Sequence, residues 1–251
     1  MRLGAALFLA LCLAPPVLAG ATPPACVGAI RTAQYTTPTD RYPHGALGDP
    51  WEWAALSVRF RLELPCLTGE VGAMVTLPED MVFEDVRPLL RDLDGDGEAE
   101  ILTVESQRDR GARLAVYKRV GGMLRRVAAT PHIGQRNRWL AQLGAADLDG
   151  DGAVEIAYID RPHLAKTLRI WRYKDGALTP VAEAPDLTNH RFGEPEISGG
   201  IRTCGSGPEI ITADANWFRL IASTLRGGHI TRRDIGPYTG PDSMADALAC
   251  R

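Results

Sequence analysis

An all-β fold assembled from several small antiparallel sheets is what this 251-residue sequence predicts, and three observations carry the prediction. The segment Asp-Leu-Asp-Gly-Asp-Gly occurs at residues 92–97 and again at 147–152, each time followed three residues later by a glutamate and an apolar run. Each copy leads into short stretches whose apolar residues alternate, the period of a half-buried strand. Glycine (26) and proline (18) are both frequent, as a chain with many tight turns requires.

At the N-terminus, Arg2 is followed by an apolar run, Leu3 to Leu13, that is too short to span a bilayer and is broken by Pro15 and Pro16. Small residues around Ala19 and Gly20 suit signal peptidase. Residues 1–19 therefore read as a signal peptide and residues 20–251 as a single exported domain, periplasmic or extracellular. Leu11 is too bulky for the position before a lipid-modified Cys12, and no later apolar run is long enough to cross a membrane. About 230 mature residues suit one β-rich domain. A net charge of −3 without a basic stripe argues against a nucleic-acid partner.

Once Cys12 is removed, Cys26, Cys66, Cys204 and Cys250 remain. In an exported chain they suggest two disulfides, with three pairings open. Cys26–Cys66 and Cys204–Cys250 are favoured because each closes a loop of moderate length; Cys26–Cys250, joining the termini, is the rival. A zinc site is weaker, since no Cys-x-x-Cys is present.

The repeat extends beyond the acidic loops. Leu114-Ala-Val-Tyr117, Gly121-Gly-Met-Leu124 and Thr130-Pro-His132 follow the first; Leu168-Arg-Ile-Trp171, Gly176-Ala-Leu178 and Thr188-Asn-His190 follow the second. Weaker copies flank the pair, at Gly48-Asp-Pro-Trp-Glu52 upstream and at Cys204-Gly-Ser-Gly-Pro-Glu209 downstream. Further strand-like segments occur at Ala29–Tyr35 and around Met244–Leu248, and Trp139, Trp171 and Trp217 fall in strand-like runs. A sheet of about 50–55 residues cannot bury its own faces, so such sheets must pack on one another. Radial packing into a small β-propeller of four to five blades is the expected arrangement, with an open stack of antiparallel sheets as the alternative.

The acids fall at loop positions one, three, five and nine: Asp92, Asp94, Asp96 and Glu100, then Asp147, Asp149, Asp151 and Glu155. Glycines at 95, 97, 150 and 152 permit the turns that bring these carboxylates together. The mutual repulsion of four acids is relieved by a hard cation that takes six to eight oxygens, which points to Ca²⁺ at two sites. The backbone carbonyls of Glu98 and Ala153, at position seven, complete the shell. An EF-hand does not fit, because position twelve is Thr103 or Tyr158 and a strand follows. The first and fourth units lack the acids and are expected to be metal-free.

These residues resemble the FG-GAP or VCBS repeat of integrin-type β-propellers, most specifically over residues 83–178. The resemblance implies a propeller blade whose loop carries Ca²⁺; it implies no particular activity. The stretches Arg41-Tyr-Pro-His-Gly, Asn137-Arg-Trp-Leu, Asp160-Arg-Pro-His-Leu-Ala-Lys166 and Asn189-His-Arg also look similar to secreted VCBS-repeat proteins of alphaproteobacteria.

Three polar stretches are not demanded by the blade pattern: residues 135–139, 160–163 and 189–191. Convergence on one rim would assemble Arg138, Arg161, His163, His190 and Arg191 into a cationic pocket, with Asp160 holding one of them, suited to a uronate, phosphate or peptide carboxylate. His132 and His190 occupy corresponding places in two units, which suggests a repeated hydrogen-bonding role. No nucleophile elbow, phosphate loop or His-Glu-x-x-His helix is present. The expected function is a binding or scaffold module for a glycan, a peptide or an envelope protein. The alternative is a lyase or hydrolase of an acidic polysaccharide with His163 or His190 as base.

Overall fold

A computed structural model describes residues 27–62 and 69–251. The proposed signal peptide and the expected Cys26–Cys66 pair lie outside the described residues.

Four antiparallel units follow one another along the chain. Unit one is β1 (Val27–Thr39), β2 (Glu52–Leu62) and β3 (Gly69–Thr76), with β2 in the middle. Unit two has an inner edge made in two pieces, β4 (Met81–Phe83) and β5 (Leu89–Arg91), both paired to β6 (Glu100–Gln107), then β7 (Gly111–Val120) and β8 (Met123–Ala129). Unit three is the uninterrupted meander β9 (Leu140–Ala146), β10 (Glu155–Asp160), β11 (Thr167–Lys174) and β12 (Ala177–Ala184). Unit four again splits its inner edge, into β13 (Leu187–Thr188) and β14 (Gly200–Thr203), against β15 (Pro208–Asp214), β16 (Arg219–Arg226) and β17 (His229–Pro237). The pairing Trp53–Phe83 joins the start of β2, beyond the reach of β3, to the edge strand β4 of unit two.

Period-two patterning decides how the units stack, because alternate side chains of one strand face opposite neighbours. In β6, Ile101 packs with Leu56, Val58 and Phe60 of unit one, while Leu102 and Val104 pack with Leu140 and Ile156 of unit three. In β10, Ile156 faces back to unit two, whereas Ala157 and Ile159 face Leu187 and Ile210 of unit four. Each fully buried Leu or Ile in these seams contributes about 1.5–3 kcal/mol.

The far face of unit four is covered by α1 (Pro241–Leu248), which buries Met244 and Ala247 against Ile211, Leu220 and Ala222. The strand expected around Met244–Leu248 is thus a helix. Its apolar residues at 244, 247 and 248 have helical spacing, and Pro241 with Asp242 suits a first helical turn. A Cys204–Cys250 disulfide ties the end of this helix to the loop before β15. The sheets also curl, so that the loop after β1 meets the loop after β13: the Gly193 N–H donates to the Ala46 carbonyl at 2.9 Å. Among the described residues the fold is therefore nearly all-β, four antiparallel units in a curled succession, within the expected range of four to five. Trp139 precedes β9 and Trp217 lies in the turn before β16, at φ 62°, rather than in strands.

Candidate functional site

The two acidic loops join β5 to β6 and β9 to β10, and their geometry is the same. Asp92 accepts hydrogen bonds from the backbone of Gly95 (2.7 Å) and Gly97 (3.0 Å), as Asp147 does from Gly150 (2.7 Å) and Gly152 (2.9 Å). Glu100 and Glu155, fully buried, accept from Leu93 and Leu148 at 2.7 and 2.9 Å. All four loop glycines have φ between 75° and 88°, where a side chain would be strained. Oxygens of Asp92, Asp94 and Asp96 come within 4.8 Å of one another, and so do those of Asp147, Asp149 and Asp151. These all-oxygen donor sets, with the Glu98 and Ala153 carbonyls at position seven, fit a hard divalent cation.

A basic side chain from the third strand of each unit reaches into its loop. Lys118 Nζ lies 2.6, 2.8 and 2.7 Å from Asp94, Asp96 and Glu100. Arg172 lies 3.0, 2.8 and 2.6 Å from Asp149, Asp151 and Glu155. Burial opposes the Lys118 charge, but the bonds it donates to Asp94 and Asp96 and its pairing with Glu100 prevail and hold its pKa above the ordinary lysine value. In unit four the loop carries Cys204 and Ser206, and Glu209 is held by Arg202 and Arg233, each at 2.7 Å.

At the other end of the β9–β10 hairpin the chain forms a cavity of about 320 Å³. Asn137, Arg138 and Trp139 enter it from before β9, Arg161 to Leu164 from after β10, His44 from the loop after β1, and Phe192 from the loop after β13. Of the residues expected to converge, Arg138, Arg161 and His163 line this cavity. His190 lies beneath His163, with ring nitrogens 2.8 Å apart. Asp160 is buried and holds Arg161 (2.8 Å) together with Arg169 (2.9 Å). Arg191 turns away to stack over Trp217, its guanidinium carbon 4.3 Å from the ring centre, and to pair with Glu194.

The histidine protons follow from the partners. His190 Nε2 faces the Glu194 carbonyl at 2.8 Å, an acceptor, so that nitrogen carries the hydrogen and Nδ1 accepts from His163 Nε2. Both His190 nitrogens are thereby engaged, which removes it as a base; His163 keeps Nδ1. Burial is the main cause that lowers both pKa values, and for His163 the charges of His190, His44 and Lys166 add to it, bringing it to about 4. Both rings are neutral at pH 7.

The sequence reading did not include His44 and Glu84. Glu84 is fully buried between β4 and β5 and binds His44 Nδ1 and the Ser106 hydroxyl, while its carbonyl accepts from Trp139 Nε1 at 2.7 Å. The carboxylate fixes the imidazole with Nδ1–H directed at Glu84 and Nε2 as its remaining nitrogen. A signal was available: Glu84-Asp85 interrupts the apolar run after Met81, and His44 stands in a stretch with no role in the blade pattern. Glu52 and Asp85 are buried nearby.

Residues 92–158, from the first acidic loop through the second and most of β10, match the FG-GAP-like repeat family. No curated protein matches the chain. Among solved structures it is similar to an exotype rhamnogalacturonan lyase, YesX, with a TM-score of 0.41 and 14% identity over 84% of this chain and 48% of that one. The chain thus spans about half the length of that structure. On the family match, this protein carries an FG-GAP-like repeat, with an acidic loop towards each of its ends.

Proposed function

We propose that this chain is an exported, calcium-binding propeller-type module that captures an acidic ligand in the cavity at the end of β9 and β10, a glycan bearing uronate groups fitting best among glycan, peptide and protein ligands. The observation that carries the reading is the meeting of Arg138, Arg161, His163 and His44 around one opening, beside the exposed apolar surfaces of Leu164 and Phe192. Among the described residues Arg138 has no carboxylate within ion-pair distance, so its charge is available to an anion, whereas Arg161 is largely neutralised by Asp160. A neutral His163 contributes a hydrogen-bond acceptor, and the apolar walls suit the C–H face of a pyranose. Export is supported by the Cys204–Cys250 disulfide, a bond that persists in oxidising compartments. No helix among the described residues is long and apolar enough to cross a membrane.

The test is titration calorimetry with trigalacturonate and with a neutral trisaccharide of the same length. The reading expects preference for the acid and a loss of about ten-fold or more on Arg138→Ala, the scale of a charge-assisted contact. Equal affinity for the two sugars, or no effect of Arg138→Ala, overturns it. A second reading, an acid-glycan lyase or hydrolase, is favoured by the Glu84–His44 pair, which orients an imidazole as a base would be oriented. Release of unsaturated or reducing ends from polygalacturonate, lost in His44→Ala, separates catalysis from capture.

A further inference from the structure

The loops of units two and three do not stand as bare clusters of acids. Lys118 and Arg172 occupy equivalent places on the third strands: Arg172 is registered directly opposite Glu155, and Lys118 follows Tyr117, which is opposite Ile101, the residue after Glu100. Each base spans the outer oxygens of loop positions three, five and nine, on Asp94, Asp96 and Glu100 or on Asp149, Asp151 and Glu155. The position-one carboxylates, Asp92 and Asp147, are instead used by the loops' own glycine N–H groups. A lysine in one unit and an arginine in the other make the same three contacts, so the arrangement depends on a positive charge at that place rather than on one side-chain shape. The partly screened positions of Lys118 and Arg172, 17% and 24% exposed, against fully buried glutamates make these contacts stronger than surface pairs. Unit four, which lacks the loop acids, does not repeat this arrangement: its Glu209 is held by Arg202 of β14 and Arg233 of β17 rather than by a base on the third strand.

We propose that Lys118 and Arg172 are built-in counter-ions that hold the acidic loops closed without metal, and that they set the calcium affinity because the outer oxygens must be released before a divalent ion can take them. This rests on the reading of the loops as calcium sites. Side chain and metal are both positive and are drawn to the same carboxylates, so at these distances they repel one another and compete for the loop. Each loop retains a net negative charge beside its base, which leaves calcium attracted but handicapped. The handicap is largest when calcium is scarce and vanishes by mass action as it becomes abundant.

The experiment uses the whole exported chain, wild type and the variants Lys118→Met, Arg172→Met and Lys118→Arg. Calcium binding is measured by calorimetry, and melting is followed in excess chelator. The proposal expects each methionine variant to bind calcium at its own loop about ten-fold more tightly and to melt about 2–4 °C lower in chelator, with Lys118→Arg close to wild type in both. If all the proteins bind calcium with one affinity, the counter-ion proposal is overturned and the calcium reading survives. If neither wild type nor any variant binds calcium at millimolar concentration, both are overturned. Tighter binding without any loss of melting temperature in chelator overturns the claim that these side chains hold the loop closed.

Discussion

Glu52 provides the sharpest quantitative test of the interior. It opens β2 as Glu100 and Glu155 open β6 and β10, but no basic side chain lies within ion-pair distance of it among the described residues. It is 2% exposed, and one of its carboxylate oxygens has no partner. Burial is the first cause that raises its pKa, and the charges of Glu84, Asp49 and Asp85 follow, to about 10 against an ordinary 4.5. The folded protein therefore holds a proton there at pH 7 that the unfolded chain has released. Stability from this group is complete below pH 4.5 and is lost as pH rises above it. The loss at pH 7 is about 3 kcal/mol and does not depend on the upper value, provided that value stays above neutrality. Glu52→Gln removes the titration while keeping the shape. Its stability relative to wild type should improve by about 3 kcal/mol between pH 4.5 and pH 7, measured by urea unfolding at several pH values. Any fixed cost of the new amide is the same at each pH and drops out of that difference. Asp85, raised to about 7 chiefly by burial, titrates in both proteins and also cancels. A Glu52→Gln variant whose stability relative to wild type does not improve between pH 4.5 and pH 7 would show that Glu52 is ionised in the fold and refute the argument.

Three further outcomes are expected. Replacing Cys204 and Cys250 together by serine opens a loop of 46 residues and should cost about 4 kcal/mol by chain entropy, read from denaturation midpoints; a cost below 1 kcal/mol would mean that α1 stays docked through Met244 and Ala247 alone. His163, held neutral in the fold, should make stability fall as pH drops from 6.5 towards 4, and His163→Gln should flatten that part of the profile by about 1–2 kcal/mol after allowance for partial exposure. Met244→Ala should cost about 2–3 kcal/mol by leaving a hole against Ile211 and Leu220, and an effect within 0.5 kcal/mol would mean that the helix contributes no core.

Local signals were the legible ones. The repeated Asp-Leu-Asp-Gly-Asp-Gly segment dictates its own turn through glycines at positive φ and carboxylates that bind the backbone a few residues on, so it could be placed without the rest of the fold. The alternation after it placed β6, β7, β10 and β11. Long-range pairings were less visible. Nothing in residues 114–120 announces that Lys118 closes a loop some twenty residues earlier, because that contact arises from strand register. Glu84 and His44 meet only because the split inner edge of unit two faces the loop after β1. Arg191 was misjudged for a related reason: its neighbours in sequence enter the cavity region, but Trp217 and Tyr238 from unit four offer it a better surface. In the last segment, the five residues 244–248 are too few to separate helical from strand spacing, and the helix start lies outside them, at Gly240-Pro241.

The topology of unit three separates the acidic loop from the cavity. The second acidic loop joins the end of β9 to the start of β10, whereas Trp139 precedes β9 and Arg161 follows β10. Loop and cavity thus stand at opposite ends of one hairpin, roughly 20 Å apart at the usual rise per strand residue. A cation in residues 147–155 cannot touch a ligand held by Arg138 and His163; it can act on the cavity only through the stability of β9 and β10. Calcium should therefore raise the melting temperature while leaving trigalacturonate affinity unchanged within about two-fold, wherever the protein is fully folded in both conditions. Asp151→Asn should weaken calcium binding and behave in the same way towards the sugar. Calorimetry in calcium and in chelator, well below the melting transition, makes the comparison directly. A ten-fold dependence of sugar affinity on calcium would require a metal at the cavity itself, or a hairpin that changes shape when the loop is filled, and either would overturn the separation of roles.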